Sequence, residues 1–278
     1  MMKIFIVGLG LMGASYAQKL TSVGHDVFGF DKDNNTNLKA LNEGVIKGYD
    51  LKDMKHSELV ILALYPNQIF EFIKSNISYF DTQLITDISG TKTKLLDEVL
   101  KLLPKSINYV SHHPMAGREK SGYDHKDITM FKNANFLIID SHHSKPHHIE
   151  TIKKLGLDLG FKRQIVLSAY EHDELIAHTS QLTHLIAVSL MLMNKNEHTK
   201  DATGDSFRDL TRIANINEIL WTELFLDNKD ALIQKIDEFV DVLGQLKHDI
   251  LTSNEVVLKE KLKESKKRRI SFDETNTR

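Results

Sequence analysis

The sequence contains no cysteine, so disulfides, Cys-ligated zinc, iron–sulfur clusters and cysteine nucleophiles are excluded together. Any chemistry has to come from other side chains. Net charge is nearly absent as well: 36 Lys and Arg stand against 38 Asp and Glu, a formal charge of -2. That removes a global electrostatic case for binding nucleic acid or a membrane surface, and any anion must be held locally. No apolar run reaches the roughly 18 residues of a membrane span, and the opening MMKIFIVGLG enters a glycine turn without a cleavable leader pattern. The expectation is a cytoplasmic protein without nucleic-acid or membrane partners.

What remains has globular composition, with 41% hydrophobic residues in 278, enough for two domains at roughly 150 residues each. KIFIV (3–7), DVFGF (26–30), LVILAL (59–64), QLITDI (83–88), INYV (107–110), NFLIID (135–140) and KRQIVLS (162–168) read as short buried strands. Helical patterns such as 11–22, 66–75 and 91–103 separate several of them, which implies βαβ units on a mainly parallel sheet. From about residue 170 strand-like runs give way to helical patterns at 171–194, 206–214, 216–227 and 229–264. The expectation is an α/β domain over 1–168 and an all-α domain over 169–278 that ends in a basic, polar tail.

Directly after the first strand stands GLGLMG (8–13). Gly8 suits a tight turn, Gly10 lets backbone approach a pyrophosphate, and Gly13 lets the helix pack against the strand. Leu11 and Met12 open that helix, whose N-terminal N–H groups favour an anion. Asp31 closes the second strand at about the 20-residue separation expected of a ribose-binding carboxylate. The N-terminal half therefore reads as a Rossmann-type domain with NAD as cofactor, since a carboxylate there repels a 2′-phosphate.

A second informative stretch, SHHPMAGREKSG (111–122), follows the strand INYV. Strand carboxyl ends line the ligand crevice of an open α/β sheet, and a histidine there suits a general base for oxidising an alcohol. Position alone leaves His112 and His113 both open. SHHSKPHH (141–148) brings four more imidazoles together, but in a polar connection without an acidic partner, and no metal is expected.

GLGLMG, DISGTK (87–92), HPMAGREKSG (113–122), EHD (171–173), SQLTH (180–184) and DLTRIANINEILWTELFLDNK (209–229) occur in the order and spacing of the prephenate dehydrogenase family of tyrosine biosynthesis, which the chain resembles over nearly its whole length. The resemblance implies NAD-dependent oxidative decarboxylation of prephenate to 4-hydroxyphenylpyruvate. It implies His113 as the catalytic group on the ring hydroxyl, with His112 a bystander, and Arg212 as the anchor of a substrate carboxylate. It also implies substrate contacts from His184 and Trp221, and a helical domain that forms a homodimer. Arg118 is a possible second cation, or a solvated loop residue.

Two departures from the family pattern stand out. Gly90 takes the place of a serine that assists the catalytic histidine, which leaves Ser89 and Thr91 as substitutes, and Gln181 takes the place of a histidine. Three rivals follow. Arogenate dehydrogenase performs the same ring chemistry on an alanyl side chain. The 3-hydroxyacid dehydrogenases share GLGxMG but need a lysine motif not found here. A non-catalytic dinucleotide sensor would need neither His113 nor Arg212.

Overall fold

In the computed structural model, residues 1–104, 106–118 and 120–276 are described. Glu119 of the HPMAGREKSG stretch, and Thr277 and Arg278 of the basic tail, lie outside the described residues. Five strands, β1 (Lys3–Val7), β2 (Asp26–Phe30), β3 (Leu59–Leu62), β4 (Leu84–Asp87) and β5 (Asn108–Tyr109), form an all-parallel sheet in the order β2-β1-β3-β4-β5. Ile4, Phe5, Ile6 and every residue of β3 are fully buried, as continuous apolar runs covered on both faces should be. Helices α1 (Leu11–Ser22), α2 (Asn34–Asn42), α3 (Pro66–Ser75) and α4 (Thr93–Leu102) connect these strands, and α1 places Ala14, Tyr16, Ala17 and Leu20 in the core.

A second sheet of three strands follows. In it β6 (His112–Pro114) runs antiparallel to β7 (Asn135–Asp140), and β8 (Arg163–Ser168) runs parallel to β7. The sequence reading gave His113, after the strand INYV, no strand of its own. It lies instead on β6, a strand too short and too rich in histidine and proline to carry an alternating signal. Nor is 141–148 only a connection: Pro146 opens α5 (Pro146–Leu159), whose first turn buries His148.

Ser168 and Glu171 form a reciprocal capping box that starts α6 (Ala169–Ile176). A π-helical turn, Ala177–Gln181, carries the chain without a break into α7 (Leu182–Met193). The resulting 25-residue helix, Ala169–Met193, is by length and composition alone long enough to cross a membrane. The sequence reading excluded only an unbroken apolar run of about that length, which this helix is not. Its interrupted apolar content is hidden to a search for unbroken runs, and its first turns carry Glu171, His172, Asp173 and Glu174. The helices α8 (Asp205–Thr211) and α9 (Glu218–Asp227) complete this part.

The expected helix 229–264 is two helices, α10 (Lys229–Leu251) and α11 (Glu255–Asn276). Ser253 takes φ +50 at the break, and Asn254 Oδ1 accepts from Val257 N–H to start the second helix. Residues group into two compact units, Met1–Lys229 and Asp230–Arg278. Within the second, Asp249 and Lys261 pair α10 to α11, and Phe239, Val240, Val242, Leu243, Ile250 and Leu251 are exposed.

The packing at Gly13 is the tightest in the nucleotide turn, since a Cβ there would lie 1.8 Å from the Gly8 carbonyl oxygen. Gly13→Ala should therefore push α1 off β1 and lower stability by at least about 2 kcal/mol in urea unfolding. An unchanged midpoint would contradict this packing.

Candidate active site

The turn between β1 and α1 has the geometry a dinucleotide requires. Gly8 sits at φ +89, and a Cβ on it would come within 2.4 Å of the Ala63 carbonyl oxygen. A Cβ on Gly10, by contrast, would meet nothing within 4 Å, so the backbone there is open to a large ligand. Gly10 precedes α1 and no side chain caps the helix, so the N–H groups of Leu11, Met12 and Gly13 lack intrahelical partners and suit a diphosphate. Asp31 is tied to this turn: Oδ2 accepts from Leu9 N–H at 2.8 Å and Oδ1 from Asp33 N–H at 3.0 Å. The buried Asn37 side chain brackets its backbone, accepting from Asp31 N–H and donating to Asp31 C=O. These residues fit NAD.

At the carboxyl end of β4 lies a charged pair with no exposure, Asp87 and Lys92, with Nζ donating to Oδ1 at 2.8 Å. Burial alone would raise the Asp87 carboxyl. Lys92, Ser111 Oγ–H and Ser89 N–H outweigh it and hold the group below the usual carboxylate range. Tyr109 O–H donates to Oδ2 at 2.8 Å. Lys92 Nζ donates a further bond, at 2.7 Å, to the carbonyl of His112. The pair therefore clamps both ends of residues 88–91 and fixes β6 beside them.

The two adjacent histidines have different surroundings. His112 is fully buried, with Nδ1 2.6 Å from Thr86 Oγ and Nε2 3.1 Å from Tyr16 Oη, and burial followed by the charge of Lys92 pushes its pKa down to about 3. It is a core group. His113 is half-buried, and its Nδ1 lies 2.9 Å from Nε2 of His172, while no described residue bonds its own Nε2. His172 Nδ1 lies 2.8 Å from Asp173 Oδ1, and Asp173 also accepts from the backbone N–H groups of Lys92 and Thr93. Burial, then His172, Lys92 and His112, hold the His113 pKa well below its ordinary value, so the ring is neutral at neutral pH.

Gly90 borders this histidine, since a Cβ on it would lie 3.9 Å from His113 Cε1 and 3.2 Å from Leu224 of α9. Leu224 thus occupies room that the family's serine would need. Of the two substitutes, Ser89 Oγ accepts a long bond from Thr91 N–H, whereas Thr91 Oγ is buried with no hydrogen-bond partner among the described residues. Thr91 is thus the hydroxyl with neither a donor nor an acceptor bond among the described residues, while Ser89 O–H is still able to donate.

Gln181 is turned inward. Its Nε2 donates to Leu224 C=O and its Oε1 accepts from Asn228, so its amide is buried and joins the π-helical turn to α9. His184 and Trp221 pack ring against ring, tilted by 32° with centroids 3.7 Å apart, and His184 Nδ1–H donates to Ser180 C=O. Arg212 is exposed on the short turn Arg212–Ala214, which packs against α7, the helix of His184. Arg118 is ion-paired with Asp127, as a loop residue would be. On the sheet side, α9 is bonded to the segment after β3, with Asn217 Nδ2 donating to Tyr65 Oη and Glu223 accepting from Asn67 N–H.

Sequence reasoning gave no role to Asp87, Lys92, His172 or Asp173. The available signal was the pair of charges flanking a small-residue turn at a strand's carboxyl end. Asp87→Asn should leave Lys92 buried without its counter-charge and cost about 3 kcal/mol or more at neutral pH. Because the folded carboxyl is held low, its contribution is full above the unfolded pKa of about 3.9 and is lost as pH falls through the lower folded value. Urea unfolding from pH 7 to pH 2 should show the wild-type advantage over Asp87→Asn shrinking only in the acid range; a constant difference would contradict the pairing.

With that geometry in hand, comparison with known proteins is direct. Residues 16–164 match the family model described as prephenate dehydrogenase, nucleotide-binding domain, and 168–264 the one described as prephenate dehydrogenase, dimerization domain. The prephenate dehydrogenase of Lactococcus lactis subsp. cremoris is 30% identical over 286 aligned positions, covering 98% of this chain and 78% of the relative. The cyclohexadienyl dehydrogenase of Zymomonas mobilis subsp. mobilis is 29% identical, covering 97% and 95%. A crystal structure of the prephenate dehydrogenase from A. aeolicus, in complex with hydroxyphenyl propionate and NAD+, superposes with a TM-score of 0.87 at 27% identity over 98% of each chain. The chain belongs to the prephenate dehydrogenase family.

Proposed function

We propose that this protein is an NAD-dependent prephenate dehydrogenase, converting prephenate to 4-hydroxyphenylpyruvate and CO2. The observation that carries the reading is His113: a neutral, half-buried imidazole beside the β4 turn, its Nδ1 held by His172 and, among the described residues, no hydrogen-bond partner on Nε2. Bound NAD supplies hydride acceptance. The chain's part is to hold the substrate and manage one proton. His113 Nε2 accepts the hydrogen bond of the ring hydroxyl and takes its proton as hydride leaves the carbinol carbon. The ring carboxylate then departs as CO2, its bonding pair enters the ring, and the proton returns to the product's phenolic oxygen. No net proton is released, and a single base suffices.

Arg212 is the carboxylate anchor in this reading, because a planar guanidinium can grip a carboxylate through two parallel bonds. His184 and Trp221 form an aromatic wall against the ring, and Thr91, more than Ser89, supplies the missing serine's hydroxyl. Gln181 acts through position, by holding α9. Gly8, Gly10, Leu11, Met12 and Gly13 hold the diphosphate, and Asp31 the adenosine ribose. We take residues 1–168 as the cofactor part and 169–278 as the substrate part. The match of 168–264 to a dimerization domain supports a homodimer, and the protein works in the cytoplasm on soluble metabolites.

The test is NADH formation by purified protein offered prephenate and arogenate separately. Turnover of prephenate is expected. His113→Asn should lower kcat by about 10²–10⁴-fold with NAD affinity nearly unchanged, while Arg212→Ala should mainly raise KM for the substrate, by roughly 2 kcal/mol of binding. Turnover of arogenate alone would assign the arogenate reaction, and turnover of neither by folded, NAD-binding protein would overturn the proposal.

A further inference from the structure

Asp173, His172 and His113 form a linear array, Oδ1 to Nδ1 at 2.8 Å and Nε2 to Nδ1 at 2.9 Å. Each link can be assigned a direction. Asp173 accepts three bonds, from Lys92 N–H, Thr93 N–H and His172. Burial would raise its carboxyl, but His172 and the α4 donors outweigh burial and keep it ionised. An ionised carboxylate only accepts, so the proton between it and His172 resides on Nδ1 of the imidazole. Burial and the nearby Lys92 keep His172 neutral against the opposing pull of Asp173, which leaves a lone pair on its Nε2. That lone pair can only accept from His113, so His113 carries its proton on Nδ1, and its own Nε2 is bare.

We propose that His172 and Asp173 are positioning residues that set the tautomer of His113, so that its Nε2 is always the proton-accepting atom facing the substrate. The proposal rests on His113 being the base. The array carries orientation and charge stabilisation and no second proton transfer: when His113 becomes an imidazolium, the Asp173 carboxylate behind His172 offsets its charge. The other ionisable groups around His113 are Lys92 and Asp87 at the β4 turn and His112 on its own strand. All three are committed elsewhere: Lys92 and Asp87 to each other, His112 to Thr86 and Tyr16. From α9 the neighbour across Gly90 is the apolar Leu224. Among the described residues, only His172 can therefore set the Nδ1 side.

Asp173 is a poor first target, because its carboxylate also starts α4. His172 is the better one. His172→Gln retains both functions, with an amide N–H for Asp173 and a carbonyl oxygen for His113 Nδ1–H, whereas His172→Leu has neither. His172→Leu should lower kcat by about 10²-fold or more, leave NAD affinity within about threefold, and be rescued at least about tenfold by His172→Gln. Nitrogen-15 NMR of histidine-labelled wild-type protein reads the tautomer without any activity assay: Nε2 of His113 should resonate as an unprotonated nitrogen and Nδ1 as a protonated one, which decides the matter even should His172→Leu fail to fold. A protonated Nε2 in the wild type overturns the proposal. So does folded His172→Leu with wild-type kcat; in that case a low kcat in His113→Asn would leave the base itself standing.

Discussion

A buried ammonium with only one acceptable environment organises this site. Lys92 has no exposure, and an unpaired charge there would cost several kcal/mol. Its Nζ is satisfied by Asp87 at the end of β4 and by the carbonyl of His112 on β6, while its backbone N–H reaches Asp173 on α6. One residue thus fixes the distance between the parallel sheet, the strand that carries His113 and the helix that carries His172. Residues 89–91 are left no freedom between these anchors. The pair is better understood as a device for position than as a source of stability, since well-packed apolar side chains could provide as much of the latter.

The same constraint explains how a departure from the family pattern is accommodated. Gly90 leaves space that Leu224 enters, and Leu224 in turn offers its carbonyl to Gln181, itself a departure. The two substitutions meet on one residue of α9. A serine at 90 and a histidine at 181 would each disturb that contact, so the pair reads as one altered arrangement. Thr91, one residue on from Gly90, keeps a buried hydroxyl with no hydrogen-bond partner among the described residues.

Much of the fold was legible because the signals were long and redundant. Strands β1 and β3 are continuous apolar runs, and GLGLMG owes its pattern to close contacts that exclude a Cβ at Gly8 and Gly13. Less legible were features held by tertiary bonds alone. Three-residue β6 exists because it pairs with β7 and is gripped by Lys92, neither of which leaves a periodic trace. The break at 252–254 has no glycine or proline to announce it. Among site residues, position alone left His112 and His113 open and the family resemblance chose His113, while the motif EHD was recognisable without revealing that its histidine stands between a carboxylate and His113. Gln181 looked like a pocket residue from its place in SQLTH, yet its amide is spent inside the fold.

The central claim is that hydride leaves the ring carbinol carbon in the same turnover that expels the ring carboxylate. It is tested most directly with prephenate deuterated at that carbon, NAD and the purified protein, by measuring deuterium in the NADH and the CO2 evolved. The account predicts one deuterium in each NADH and one CO2 for each NADH formed. Unlabelled NADH, or labelled NADH without matching CO2, would contradict it.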